Sequence, residues 1–244
     1  MATRPLLLDL FCGAGGAATG YHRAGFQVIG VDIRYQAHYS FEFYRGEWEK
    51  FGKLLLAQYR FDAIHASPPC QRYSDLAKRN GNANDHPDFI DAVREMLRAT
   101  QLPYVIENVE GAPLWDPIVL CGSMFGLRVI RHRLFESNVP LSTPAHPQHK
   151  LVYTRDKRKA HYGKLDEMTS PVMVNGGGNC SIAAARDAMG IDWMTKAELN
   201  EAIPPAYTEF IGKQLRAAIA SATQMKSAGT IAPCHDDAAG GSQI

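Results

Sequence analysis

Pro5-Leu6-Leu7-Leu8-Asp9-Leu10-Phe11-Cys12-Gly13-Ala14-Gly15-Gly16 is an apolar run that gives way within a few residues to glycines and then to a second patterned segment. Pro5 to Leu10 reads as a buried strand, Ala14 to Ala24 as a helix, Phe26 to Val31 as a second strand and Phe61 to Ala66 as another. Strands alternating with helices in this way signal a parallel sheet with crossover helices. Pro87 stands at a favourable first helical position, and Phe89, Val93, Met96 and Leu97 mark an apolar helix face before Pro103 to Ile106 returns as a strand. The fold expected is α/β, a doubly wound, mostly parallel, Rossmann-like sheet. After Phe135 the pattern breaks into a proline, histidine and basic segment, and helices resume around Ile182 to Met189 and Pro205 to Ala222. The expected division is a core at 1–135, a small lobe at 136–175, helices returning to the core at 176–222, and a disordered Ala, Gly, Ser and Asp-rich tail at 223–244.

Composition narrows the function classes. A chain of 244 residues with formal charge +1 has no global polyelectrolyte character, so any basic surface must be local. The five cysteines, Cys12, Cys70, Cys121, Cys180 and Cys234, include no Cys-x-x-Cys pair, which favours a reducing compartment over a disulfide scaffold or structural zinc. Leu6 to Leu8 is too short for a signal peptide, and no apolar run reaches membrane-spanning length, so a cytoplasmic location is expected. His146 and His149 have no cysteine or carboxylate beside them at ligand spacing; they read as solvated or phosphate-contacting, and no metal is expected. Gly176-Gly177-Gly178 lacks a preceding strand and a following Lys-Ser or Lys-Thr pair, and reads as a hinge.

The glycine turn lets the backbone approach a ligand and leaves helix-start N–H groups pointing at it. Asp32, at the end of the next strand, stands where a carboxylate can accept hydrogen bonds from ribose hydroxyls, so a nucleoside-containing cofactor is indicated. Ser67-Pro68-Pro69-Cys70-Gln71 then holds a cysteine on a backbone of restricted φ, and Glu107-Asn108-Val109 follows 37 residues after Cys70. A cysteine there can pack as a small hydrophobe; with a carboxylate on another strand end it also suits covalent chemistry on a ring. Gln71 to His86 is polar and reads as a mobile loop, while Lys150 to Lys164 is basic with Tyr153 and Tyr162 interleaved, a pattern suited to phosphate contact or to a solvated face.

In this order the segments resemble the DNA cytosine-5 methyltransferase family across about residues 6–215. The resemblance rests on Asp9 to Gly16, on Pro68-Pro69-Cys70-Gln71 with Ser74 beyond, on Glu107-Asn108-Val109, on Arg131-His132-Arg133-Leu134-Phe135, and on Ala202-Ile203-Pro204-Pro205. It implies S-adenosyl-L-methionine as methyl donor, transfer to carbon 5 of cytosine, and a covalent cysteine adduct at carbon 6. Cys70 is then the nucleophile, Glu107 the partner of the exocyclic amine and ring N3, Asn108 a positioning residue, Arg133 the contact to the cytosine O2, and Arg131 a phosphate or loop contact. Donor binding is carried over to Asp9, Phe11, Cys12, Gly13, Ala14, Gly15, Gly16, Asp32, Ile33, Glu47, Trp48 and Pro68. Arg72, Ser74, Lys78 and Arg79 in the loop, and Lys157, Arg158 and Lys159 in the small lobe, are expected to contact DNA.

The implied partner is double-stranded DNA with the target base extruded, met by a monomer without metal or membrane, in the cytoplasm of a bacterial or phage-infected cell. Departures from the family pattern are Asp32 where glutamate is more usual, Gly46-Glu47-Trp48 for Gly-Asp-Ile, Val129 in place of a glutamine, and Asn200-Glu201 for Gly-Asn. The same chemistry on RNA and a catalytically silent DNA-binding protein of this fold are the alternatives.

Overall fold

The structure, a computed structural model, describes residues 3–73, 81, 83–148, 172, 174 and 180–228. In chain order the elements are β1 (Leu6–Leu10), α1 (Gly16–Arg23), β2 (Gln27–Asp32), β3 (Glu42–Arg45), α2 (Trp48–Gln58), β4 (Ala63–Ala66), α3 (Ile90–Ala99), β5 (Tyr104–Asn108), β6 (Ile118–Leu120), β7 (Arg133–Ser137), α4 (Ile182–Met189), α5 (Lys196–Glu201) and α6 (Pro205–Ala228). The strands form one sheet in the order β3-β2-β1-β4-β5-β7-β6. β1 to β5 pair in parallel, and β7 pairs antiparallel with both β5 and β6.

Side chains on a strand alternate between faces. Leu7, Ala63 and Val105 pack with Tyr21 of α1 and with Tyr207, Ile211 and Leu215 of α6. Leu8, Leu10, Ile64, Ala66 and Ile106 pack on the opposite face with Leu55 of α2 and Val93 and Leu97 of α3. The near-continuous apolar character of the central strands follows from burial on both faces. The same alternation carries Asp9, His65 and Glu107 onto the α1 and α6 side, each within two residues of its strand's carboxyl end. There the order reverses between β1 and β4, the place where open α/β sheets form a crevice.

The doubly wound, mostly parallel sheet is as expected, but two boundaries differ. The described part of the expected lobe, from Glu136 to Gln148, runs with the core. Glu136 is buried in a two-pronged pair with Arg94 at 2.8 and 2.9 Å, Asn138 accepts from Tyr104 N at 2.8 Å, and Ser142 N donates to Gln214 at 2.8 Å. Helix α6 continues to Ala228, beyond the expected start of a tail at 223, because Ala222, Gln224, Met225 and Lys226 are good helix formers. Residues 229–244, Gly176 to Gly178 and Lys150 to Lys164 lie outside the described residues. The structure also adds β3, α2, β6 and α5, which the pattern reading does not assign. No helix among the described residues is long and apolar enough to cross a membrane.

Helices α1 and α6 meet at Gly20, where a Cβ would overlap Thr208 Oγ1 and the carbonyl of Pro205. The Thr208 hydroxyl also donates to Ala17 O at 2.9 Å, and with the Pro205 carbonyl and Glu209 N set against Gly20 the backbone of α6 lies directly on α1. Gly20→Ala therefore sets a helix-propensity gain of about 1 kcal/mol against overpacking of about 1–3 kcal/mol. The obstacle here is partly backbone, so the steric term wins. We expect the urea midpoint to fall with an unchanged m-value; a midpoint that rises would mean the helices part without cost.

Candidate active site

The loop after β1 is built by positive-φ backbone at Phe11 (59°), Gly13 (50°) and Gly15 (86°). Phe11 keeps this uncommon conformation while its ring packs against Trp48 at 5.6 Å and Phe89 at 6.3 Å. Asp32 accepts from Gly13 N at 3.0 Å and from Arg34 N at 2.9 Å, fixing the turn to the end of β2. From the C-terminal side, Trp193 donates to Ala14 O at 3.0 Å, and a Cβ on Gly16 would stand 2.5 Å from Ile203 O. Glycine at position 16 thus admits the Ala202-Ile203 segment to the loop. Arg34–Glu201 at 2.9 Å and His38–Glu198 at 2.8 Å bridge the exposed rim.

These parts enclose a cleft of about 390 Å³, within the usual range for small-molecule sites. Asp9 lines it fully buried, and neither of its carboxyl oxygens has a hydrogen-bond partner among the described residues. Burial first, and Asp32 second, push its carboxyl well above the usual carboxylate range. A buried carboxyl with unfilled hydrogen-bonding capacity beside a cleft is complementary to a polar ligand, and the glycine turn next to it to one that lies close against the backbone. The residues present therefore fit a donor such as S-adenosylmethionine, with Asp9, Gly13, Ala14 and Asp32 as the groups that would hold it.

The other half of the same cleft holds Cys70, Glu107 and Arg133. Pro68 and Pro69 fix the approach to Cys70, Asn108 Nδ2 donates to Pro68 O at 3.0 Å, and Tyr73 N donates to Cys70 O at 3.0 Å in the short turn Gln71–Tyr73. Arg133 Nε lies 3.1 Å from Glu107 Oε1. Burial raises the Glu107 carboxyl, while Arg133 and the Ser67 hydroxyl draw it back. The half-buried Cys70 thiol is raised by burial and by Glu107, and lowered by Arg133.

Behind Glu107 runs a chain of groups that sequence reasoning missed. Tyr21 OH lies 3.0 Å from His65 Nδ1, and His65 Nε2 lies 2.9 Å from Ser67 Oγ, which in turn bonds Glu107. Burial lowers the His65 imidazole to about 3, so the ring is neutral. One direction satisfies every group: Tyr21 donates to Nδ1, Nε2–H donates to Ser67, and Ser67 donates to the Glu107 carboxylate. The available signal was a histidine in Ala63-Ile64-His65-Ala66, the middle of an otherwise apolar strand.

Of the residues expected to bind the donor, Asp9, Phe11, Cys12, Gly13, Ala14, Gly16, Asp32, Ile33 and Pro68 line the cleft, whereas Gly15, Glu47 and Trp48 do not. Gly15 precedes α1 with its missing Cβ against Tyr39, Glu47 is the exposed N-cap of α2, and Trp48 supports Phe11 from behind. Asn108 is buried outside the cleft lining and acts on the Pro68 carbonyl. Arg131 lines the cleft but is buried, not a surface phosphate contact. Its guanidinium donates to Val174 O at 2.7 Å and Asn200 O at 2.6 Å, and burial followed by Arg133 lowers it to about 9. Arg72 binds His86 O at 3.2 Å and pairs with Asp88 at 3.5 Å. Ser74, Lys78, Arg79, Lys157, Arg158, Lys159 and His149 lie outside the described residues.

Comparison with known proteins agrees with this geometry. Residues 6–113 match the family described as C-5 cytosine-specific DNA methylase. The Type II methyltransferase M.HgiGI of Herpetosiphon aurantiacus is 32% identical over 120 residues, which cover 44% of this chain and 92% of that protein. M.HgiDI of the same organism is also 32% identical over 120 residues, 44% of this chain but 38% of that protein. The matched region spans between 29% and 38% of the length of the longer curated relatives. A prophage-encoded E. coli protein assigned as a DNA modification methyltransferase shares the fold with a TM-score of 0.57 at 16% identity, over 87% of this chain and 99% of that one. With a relative matched along nearly its whole length, and the family's pattern running through the strands and loops that build the cleft, the chain belongs to the C-5 cytosine-specific DNA methylase family.

Proposed function

We propose that this chain methylates carbon 5 of cytosine in duplex DNA, with Cys70 as nucleophile, Glu107 and Arg133 as the groups that receive the ring, and Asp9, Gly13 and Asp32 on the donor side. The observation that carries this reading is that a cysteine, a carboxylate and an arginine share one cleft with an unpaired buried carboxyl and a glycine turn. When bound, S-adenosylmethionine would supply the electrophilic methyl that carbon 5 accepts, its sulfur taking the electron pair of the broken sulfur–methyl bond and leaving as the neutral thioether. Cys70 sulfur forms a bond to carbon 6, and the electron pair of the 5,6 double bond moves toward carbon 5. Glu107 shares a proton with ring N3, and Arg133 offsets the negative charge that spreads to O2. Loss of the carbon 5 proton then lets the pair return, breaking the sulfur–carbon 6 bond and freeing Cys70. Arg131, tied to two backbone carbonyls, positions the segment that carries Arg133.

The nucleophile is tested directly. Cys70→Ala should abolish incorporation of labelled methyl into duplex DNA while donor binding persists, and a duplex with 5-fluorocytosine at the target should trap the wild-type chain, since fluorine does not leave as a proton does. Glu107→Gln should lower kcat by a factor on the order of 10² to 10⁴. Turnover by Cys70→Ala, or methyl incorporation confined to RNA, would overturn the assignment.

The charges around Cys70 make a second test. A raised thiol holds little thiolate at neutral pH and gains it as pH rises, so carbamidomethylation of Cys70 by iodoacetamide should accelerate with pH through the alkaline range. Removing the anion in Glu107→Gln lowers the thiol and should speed the reaction at about pH 8, whereas removing the cation in Arg133→Ala should slow it. Mass spectrometry of the Cys70 peptide reads all three rates. The reverse order for the two variants would mean that access, not charge, governs this thiol.

A further inference from the structure

Cys121, His132 and His146 are far apart in sequence, yet the fold brings one ligand atom from each to within 4.8 Å of the others. Cys121 is buried directly after β6, His132 is half-buried between the two cleft arginines, and His146 is exposed in the segment that leaves the core after β7. The expectation that no cysteine stands near His146 holds along the chain but not in space. We propose that these three side chains bind a single divalent transition-metal ion of the zinc class, a site separate from the cleft and independent of the methylation reading.

The geometry of the two imidazoles points to an ion. His132 Nε2 and His146 Nε2 face each other at 3.2 Å, with ring centroids 5.3 Å apart and planes 22° from parallel. Two nitrogens on a tetrahedral zinc, each bonded at about 2.0–2.1 Å, stand about 3.3–3.4 Å apart, so the hydrogen-bonded pair need open by only about 0.1–0.2 Å to admit the ion. On the far side of the ring, His132 Nδ1 lies 3.7 Å from Glu110 Oε2, beyond hydrogen-bond reach but close enough for the carboxylate to offset positive charge on a metal-bound imidazole. The backbone of Cys121 is held by Met124, whose N–H donates to Cys121 O at 3.0 Å and whose sulfur accepts from Cys121 N at 3.3 Å, so the position of the thiol is fixed by the short turn after β6. Two imidazoles and one thiolate select zinc over magnesium or calcium, and three protein ligands leave a fourth position for water.

The ion would join three segments: the turn after β6, the residue between Arg131 and Arg133, and the stretch around His146. Its role is to hold the approach to β7 and the departing chain together on the outside of the sheet. None of its three ligands lines the cleft, so the ion takes no part in the transfer chemistry, and its loss should cost thermal stability before it costs donor binding.

The test uses the full chain, freed of any affinity tag, stripped with a chelator, exposed to zinc and desalted. We expect one zinc per chain by elemental analysis, and a cobalt-loaded chain with sulfur-to-cobalt charge-transfer absorption that is absent in Cys121→Ser. His146→Ala, at an exposed position that leaves the fold intact by circular dichroism, should weaken zinc binding by at least about 100-fold and abolish the zinc-dependent rise in Tm; Glu110→Gln should weaken it by about 10-fold to 100-fold. No zinc on the wild-type chain overturns the proposal. So does full stoichiometry in His146→Ala, which would place the ion elsewhere.

Discussion

Three neighbouring parallel strands each put a polar side chain, Asp9, His65 and Glu107, into the interior near the carboxyl end, and the cleft exists because these three must be reconciled with burial. Period-two alternation places all three on the face covered by α1 and α6; Asp9 and His65 are direct partners across β1 and β4, and Glu107 stands two residues beyond Val105, the partner of His65 on β5. Glu107 is satisfied by Arg133 and Ser67, and His65 by Tyr21 and Ser67. Asp9 is left with nothing from the described protein. Buried polar groups are normally paired, so a satisfied pair beside an unsatisfied carboxyl divides the cleft into a half completed by the protein and a half that a ligand completes.

The chemical half balances opposing demands on one carboxylate. An ion pair at contact distance in a protein is worth about 4 kcal/mol at an effective dielectric of 20, while desolvation costs several kcal/mol per ion. For Glu107 burial wins, and the carboxyl stays raised despite Arg133. That outcome suits a group that must share a proton with a ring, since a carboxylate held far down would be a poor partner for N3. The same anion raises the Cys70 thiol, so the free protein keeps its nucleophile largely protonated. Arg133, 3.1 Å from Glu107, opposes both effects by lowering the carboxyl and the thiol together.

Much of this was legible in the chain because it is local. Glycines after an apolar strand, prolines before Cys70 and a carboxylate near the end of β5 are set by short-range backbone geometry, and of these Gly13, Gly16, Pro68, Pro69 and Glu107 line the cleft. What the sequence hid depends on contacts made at a distance. Trp48 was read as a donor contact, but a positive-φ phenylalanine needs a wall behind it and Trp48 supplies that wall. For Arg131 the sequence leaves a phosphate or a loop contact open, and its partners are backbone carbonyls 43 and 69 residues further on. His65 is one polar letter in an apolar strand and acquires a role through Tyr21, which is 44 residues earlier.

The C-terminal segment shows why closing a cleft of this kind needs glycines on the helix rather than on the loop. Gly16 and Gly20 are one turn apart on the same face of α1, and the residues they admit, Ile203, Pro205 and Thr208, belong to one continuous stretch that enters α6. A side chain at either position would lift that stretch by the thickness of a methyl group. Ala202 and Ile203, which line the cleft, would move outward with it, and so would the Asn200 carbonyl that anchors Arg131. The donor wall and the arginine that steadies the chemical half therefore share one support. Close contacts along one face of α1, from Gly16 at the cleft to Gly20 one turn further on, set the spacing between the two halves of the cleft.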